Sequence, residues 1–378
     1  MTSIDALAFA RDYLVGAGDI WRTDDGGVGI SRLPLWTDAK HLSSPFMLDV
    51  TRTTSGVRFE FETDSSSMQL KLRCSQLTFP GAPVRPVVVD LEMDGAVESI
   101  VVSPVEARSP FEVTPLHVDA APTLELSLGA AGVPKQVRIW LPQNSHSEIL
   151  AVSTDGWLRK LASKEPTWLH YGSSISQASE VNHPSAVWPV VAAKSLGLQL
   201  RSLGLGGNAL LDPFIADVIV EAAPQVVSLK LGINTVNAAS HNARNFPSSV
   251  SGLLDGIRAG LPTTPILLIT PIFCPPHEEG VGPTVWDLAT MKAKASPKPE
   301  ELFPMALNLR MIREQLRAIF ELRSATDPNL FLLEGTELFG AQDAHLLPDD
   351  LHPNHEGYQL MAGRFAAHPI IDAWLKHQ

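Results

Sequence analysis

The chain has 378 residues, 44% of them hydrophobic, and a formal net charge of -12. That length suits about two domains of ordinary size. The acidic balance argues against nucleic-acid binding, which depends on basic patches facing phosphate, and against docking on anionic membrane. Cys74 and Cys274 are the only cysteines and fall in different halves of the chain, so no disulfide framework is expected.

The N-terminal MTSIDALAFARDYLVGAG has Asp5 where a signal peptide needs positive charge, and Arg11 and Asp12 interrupt its apolar stretch. It reads as a short amphipathic helix. No apolar run approaches the ~18 residues needed to span a bilayer, and the expected location is the cytoplasm.

Residues 45–150 alternate with period two. VRFEFE (57–62) places Val57, Phe59 and Phe61 on one face, and MQLKLRC (68–74) does the same with Met68, Leu70, Leu72 and Cys74. VVVDLEMDG (87–95) ends in Asp94-Gly95, a hairpin signal. LELSL (124–128) and VRIWLP (137–142) follow. Short alternating strands separated by turn signals predict a β-sandwich, jelly-roll-like, over residues 1–155.

From 156 to 378 the pattern becomes strands alternating with helices. Strands are expected near 167–171, 199–204, 225–231, 265–270 and 329–334, with helices near 185–196, 212–223, 246–259, 304–323 and 355–376. Apolar strands separated by helices imply a flavodoxin-like parallel sheet of about five strands covered on both faces. Ligands bind such sheets beyond the carboxyl ends of the strands, so the residues following each strand carry the interest.

Those residues are Gly172-Ser173-Ser174, then SLGLGGN (202–208), LGINT (231–235), TPIFCPPHEE (270–279) and PDDLHPNHEGY (348–358). A serine hydroxyl needs a base to become a nucleophile, and His352 is the candidate base. Asp349, three residues earlier, can hold the other ring nitrogen, whereas Asp350 should point away. The N–H groups of Ser174 and Gly207 and the side-chain amide of Asn234 are candidate donors to an oxyanion. Asp349, His352 and His355 could instead be read as metal ligands, although His355 is expected to begin the last helix.

The order of these blocks resembles the SGNH (GDSL-like) hydrolase superfamily over about residues 166–376. Gly172-Ser173-Ser174 stands for the family's G-D-S, with Ser174 as nucleophile. Ser202, Gly204 and Gly207 stand for N-x-G-x-x-G, Asn234 follows Gly232 as in G-x-N-D, and Asp349 with His352 forms D-x-x-H. Ser173, Ser202 and Thr235 replace the usual Asp, Asn and Asp. FETDS (61–65) and IWLP (139–142) are similar to the sandwich attached to some bacterial members.

The resemblance implies a serine esterase acting on short acyl esters, first an O-acetylated sugar or small metabolite, with no metal or organic cofactor. An acyltransferase using the same triad and a non-catalytic carbohydrate-binding protein are the alternatives. Residues 275–303 form a long Pro- and Gly-rich connection expected to border the pocket through Trp286. His277 and Glu278 either line the site or sit in a solvated loop. His170, Trp168, Trp188 and Cys274 read as core. The expected partner is a small-molecule ester, and a homo-oligomer is left open.

Overall fold

The computed structural model describes residues 1–41, 44–78, 85–108, 121–297 and 304–377. Two compact units emerge. One comprises Met1–Lys164 with Val181–Val187, the other Glu165–Glu180 with Trp188–Gln378.

The first unit contains two sheets. One runs Thr123–Ser127, Ser67–Leu77, His146–Thr154, Val28–Ser31 and Asp19–Arg22, with Thr2–Ile4 and Glu106–Arg108 paired off this path. The other runs Leu158–Lys160, Arg58–Thr63, Lys135–Trp140, Val88–Met93 and Ala96–Val101, with Leu14–Val15 on Arg58–Thr63. Period-two alternation makes these strands two-faced. Phe59 and Phe61 from one sheet and Met68, Leu70 and Leu72 from the other enter a single buried cluster, so the two sheets share one core.

The hairpin at Asp94-Gly95 pairs Met93 with Ala96, and both turn residues have positive φ (46° and 89°), as a two-residue turn between right-twisted strands requires. The N-terminal helix spans Ala6–Tyr13, capped by Asp5 accepting from the Ala8 N–H, and buries Phe9 and Ala10. The buried Asp90 carboxylate accepts from His183 Nδ1 at 2.8 Å, the Ser185 N–H at 2.9 Å and Ser99 Oγ at 2.6 Å, which ties the 181–187 segment to this unit.

The second unit is built on five parallel strands: β1 (Thr167–Gly172), β2 (Gln199–Gly204), β3 (Val226–Lys230), β4 (Ile266–Ile269) and β5 (Leu330–Leu333). Their order is β2-β1-β3-β4-β5, the flavodoxin-like arrangement. Every residue of β4 has no exposed surface, as expected of a strand covered on both sides.

Among the described residues the helices are α1 (Ser174–Gln177), α2 (Trp188–Leu196), α3 (Phe214–Ala222), α4 (Ile233–Asn237), α5 (Phe246–Gly260), α6 (Leu309–Ser324), α7 (Gly335–Leu338), α8 (His355–Ala367) and α9 (Pro369–Lys376). The crossover from β1 to β2 runs opposite to those toward β5. Right-handed crossovers therefore put α2 on one face and α3, α5 and α6 on the other. α8 joins α2, and its Phe365 stacks on Trp168 of β1 at 5.3 Å.

Three sequence expectations change. The single last helix is two, because Pro369 cannot continue a helix and holds His368 extended (φ -72°, ψ 132°). α6 starts at Leu309 rather than 304, where Asn308 caps it by accepting from the Met311 N–H at 2.9 Å. The 275–303 connection has structure of its own: a 3-10 turn at Pro275–His277 and a hairpin of Val285–Asp287 with Lys292–Lys294. Residues 298–303 of that connection lie outside the described residues. No described helix is long and apolar enough to cross a membrane.

Candidate active site

β1 delivers the chain to the carboxyl edge of the sheet beside the switch point between β1 and β3, where strand order reverses. Ser173 caps α1, its Oγ accepting from the Ile175 N–H at 3.3 Å, and Ala178 in the left-handed region closes the helix after one turn. Ser174 is the first helical residue. The glycines around it are needed for space. A Cβ on Gly172 would lie 2.2 Å from Ser176 Oγ, and one on Gly204 would lie 2.3 Å from the Gln177 nitrogen. The turn thus packs directly against the end of β2.

His352 and Asp349 come from the loop before α8. Ser174 Oγ lies 2.9 Å from His352 Nε2, and His352 Nδ1 lies 2.7 Å from Asp349 Oδ2. The other carboxylate oxygen, Oδ1, accepts the N–H groups of Leu351 at 3.0 Å and His352 at 2.6 Å. Burial opposes the Asp349 charge. The hydrogen bond from the His352 ring, its charge and those two backbone donors outweigh it and hold the carboxyl below its ordinary value. Asp350 turns away with φ at 64° and pairs with Lys292 at 3.0 Å. His355 is the first residue of α8, and no group of three His, Cys, Asp or Glu side chains able to hold a metal occurs among the described residues.

Gly207 and Asn234 follow β2 and β3, the strands flanking β1. Gly207 has φ at 68°, a conformation costly for any residue with a Cβ. Asn234 is 2% exposed, and its Oδ1 accepts the Ala209 N–H at 3.1 Å, which leaves its NH2 group as the remaining donor. Thr235, where the family pattern has Asp, donates its hydroxyl to the Gly232 carbonyl at 2.7 Å and closes the turn. The neighbouring Gly206 N–H is taken by Gln177 Oε1 at 3.0 Å.

The loop after β4 departs from the sequence reading. His277 is fully buried, with Nε2 2.7 Å from Thr284 Oγ1 and Nδ1 3.2 Å from the Gly280 carbonyl. Burial lowers its proton affinity. Glu278 accepts from both terminal nitrogens of Arg313 at 2.8 Å and from the Cys274 N–H at 3.0 Å. His277 is therefore held by the loop's own groups and Glu278 by Arg313 of α6 and the Cys274 N–H. Trp286 is 42% exposed, on the hairpin.

That hairpin reaches the catalytic-type loop through backbone. The Ala293 N–H donates to the Asp349 carbonyl at 2.9 Å, and the Cys274 thiol donates to the Asp350 carbonyl at 3.3 Å. Burial raises the Cys274 thiol, keeping it protonated as that bond needs. Sequence reasoning missed Arg313, Ala293 and the hydrogen bonds of His170. Arg313 alone left a signal, as a charged residue on the buried stripe of an amphipathic helix.

A five-stranded flavodoxin-like sheet with a serine, a histidine and an aspartate hydrogen-bonded in sequence at its carboxyl edge defines the class of SGNH-type α/β hydrolases. Residues 170–360 match the GDSL-like Lipase/Acylhydrolase family. The chain belongs to that family, which places it among ester hydrolases.

Among solved structures, it is similar to a salicylyl-acyltransferase, SsfX3, from a tetracycline biosynthetic pathway: 25% identity, TM-score 0.78, covering 97% of this chain and 96% of that one. A putative GDSL-like lipase from Bacteroides ovatus shares 19% identity at TM-score 0.70, covering 99% and 98%. A family two carbohydrate esterase from Clostridium thermocellum shares 15% at TM-score 0.61, covering 97% and 99%. No curated protein sequence matches the chain.

Proposed function

We propose that the protein is a serine esterase that hydrolyses short-chain acyl esters, first of all acetyl esters, of a sugar or small metabolite. The observation that carries this reading is the continuous chain Ser174 Oγ–His352–Asp349, with 2.9 Å and 2.7 Å separations. His352 removes the Ser174 proton as Oγ adds to the ester carbonyl. Asp349 fixes the ring tautomer and balances the imidazolium. The N–H groups of Ser174 and Gly207 and the Asn234 amide receive the tetrahedral oxyanion. The carbonyl re-forms, and the alcohol leaves with the proton from His352. Water then attacks the acyl-serine through the same base, releasing acid and free enzyme.

The formal charge of -12 favours a small, non-polyanionic substrate. Trp286, exposed on the hairpin bonded to Asp349, borders the acyl or alcohol pocket in this reading.

Transfer of the acyl group to an alcohol in place of water is the second reading, favoured by the likeness to SsfX3 along almost the whole chain. The test is hydrolysis of p-nitrophenyl esters of increasing acyl length and of acetylated sugars by wild type and Ser174→Ala, with and without acceptor alcohols. Turnover that survives in a folded Ser174→Ala variant refutes the nucleophile. Transesterification outpacing hydrolysis selects the second reading.

A further inference from the structure

A four-residue helix such as α1 cannot hold itself, since its nucleation cost exceeds what one turn of hydrogen bonds returns. Side chains must pin it. The Trp188 indole N–H reaches the Ile175 carbonyl at 2.9 Å, Gln177 takes the Gly206 N–H, and His170 binds Ser176. The last tether comes from β1 itself. His170 lies four residues before Ser174, with Nε2 2.7 Å from Ser176 Oγ and Nδ1 2.7 Å from Ser228 Oγ on β3. Ser228 also accepts the Trp168 indole N–H at 2.8 Å. All four side chains have no exposed surface.

We propose that His170 is a positioning residue for the nucleophile. By bridging Ser176 of α1 to Ser228 of β3, it sets where Ser174 Oγ sits against His352. This rests on Ser174 being the nucleophile.

Gly172 supports the assignment independently. Its φ is not positive, so no special backbone angle demands a glycine. A Cβ there would lie 2.2 Å from Ser176 Oγ and 3.3 Å from His170 Nε2. The glycine clears the path of this hydrogen bond. His170 also stays in one protonation state, because burial, with help from the nearby Lys230 ammonium, holds its pKa at about 3. The tether therefore does not change over working pH.

The experiment measures phosphonylation of Ser174 by a fluorophosphonate, together with kcat and KM for p-nitrophenyl acetate, all per folded molecule. Misplacing a reacting group by about 1 Å can cost about a hundredfold. Ser176→Ala, which deletes one hydroxyl, should phosphonylate at least about tenfold more slowly than wild type, with KM within about twofold. Its kcat–pH profile should keep the wild-type midpoints. His170→Asn, whose amide reaches only the Ser228 side, should behave likewise. His170→Gln, whose amide reaches Ser176, should recover most of the rate.

Wild-type phosphonylation rates in folded Ser176→Ala overturn the proposal even where the His170 variants fail to fold. Wild type that resists the probe removes the nucleophile reading and this inference with it. Labelled wild type with an unimpaired Ser176→Ala removes the inference alone.

Discussion

Asp349→Asn is the most discriminating substitution, because the structure dictates how the new amide must sit. Asp349 Oδ1 accepts two backbone N–H groups, at 3.0 and 2.6 Å. An NH2 group cannot occupy that place without facing two donors, so the asparagine oxygen takes it. The NH2 then necessarily faces His352 Nδ1, 2.7 Å from the present Oδ2. A donor there forces Nδ1 to become the acceptor and puts the ring proton on Nε2, the atom 2.9 Å from Ser174 Oγ. A ring in that tautomer cannot receive the serine proton. A wrong-tautomer change of this kind in a serine protease triad lowers kcat about 10⁴-fold, or about 5 kcal/mol of barrier at 1.36 kcal/mol per factor of ten. The backbone bonds survive, so the variant should fold. Steady-state hydrolysis of p-nitrophenyl acetate near pH 8, with folding checked by circular dichroism, should show kcat down by about 10⁴ and KM little changed. A kcat within about tenfold of wild type would mean that Asp349 does not set the tautomer.

Asn234→Ala removes a side-chain donor and should lower kcat by about 10²–10³ with KM nearly constant in the same assay; a loss below threefold would place Asn234 outside the oxyanion site. Trp286→Ala should raise KM or alter acyl-length preference across a p-nitrophenyl ester series while leaving kcat on acetate close to wild type; unchanged KM together with unchanged preference would remove Trp286 from the pocket.

Acid should destabilise the fold well above carboxylate pH. His146, His170 and His277 all have their proton affinity lowered, burial being the largest cause. The unfolded chain protonates near 6.5, so below that pH it binds protons the fold refuses. The stabilisation is present in full above 6.5 and drains as pH falls. For His170 the loss continues to about 3, at about 1.4 kcal/mol per pH unit. Asp49, Asp90 and Asp349, all lowered, contribute above the unfolded carboxylate value and lose that contribution as pH falls below it. Calorimetric Tm should therefore fall steadily from pH 6.5 to 4, and a flat profile there would contradict the burial argument.

The five strands were legible because a strand buried on both faces is a short apolar run, and these runs alternate with longer helical stretches. Observed β3 and β4 each lie one residue inside the ranges read from sequence at both ends. Ser174, Asn234, Asp349 and His352 were legible because each follows a strand or its loop, and chemistry restricts the residue types there. The loop after β4 was not. The Glu278–Arg313 pair joins residues 35 apart, and the Ala293 bond to Asp349 uses only backbone, so neither leaves a periodic trace. Pro- and Gly-rich sequence with two acidic residues resembles a solvated rim whether or not its charges are paired. The break between α8 and α9 was in the sequence as Pro369, overridden by the apolar pattern on either side.

Gly172 and Gly207 show why the candidate site was only partly readable. Both belong to recognised blocks and both look like turn residues, yet different physics fixes them. Gly207 is held at φ 68°, so substitution there strains the backbone itself. Gly172 has an ordinary backbone, and its side chain is excluded by a histidine–serine bond crossing above it. A glycine in sequence gives the same letter for conformational freedom and for clearance. Only the second meaning implies a neighbour, and that neighbour is Ser176 with its partner His170, which its place on a strand assigned to the core. A position kept empty beside a nucleophile is thus evidence about what must pass through the space, and here that is the tether that aims α1.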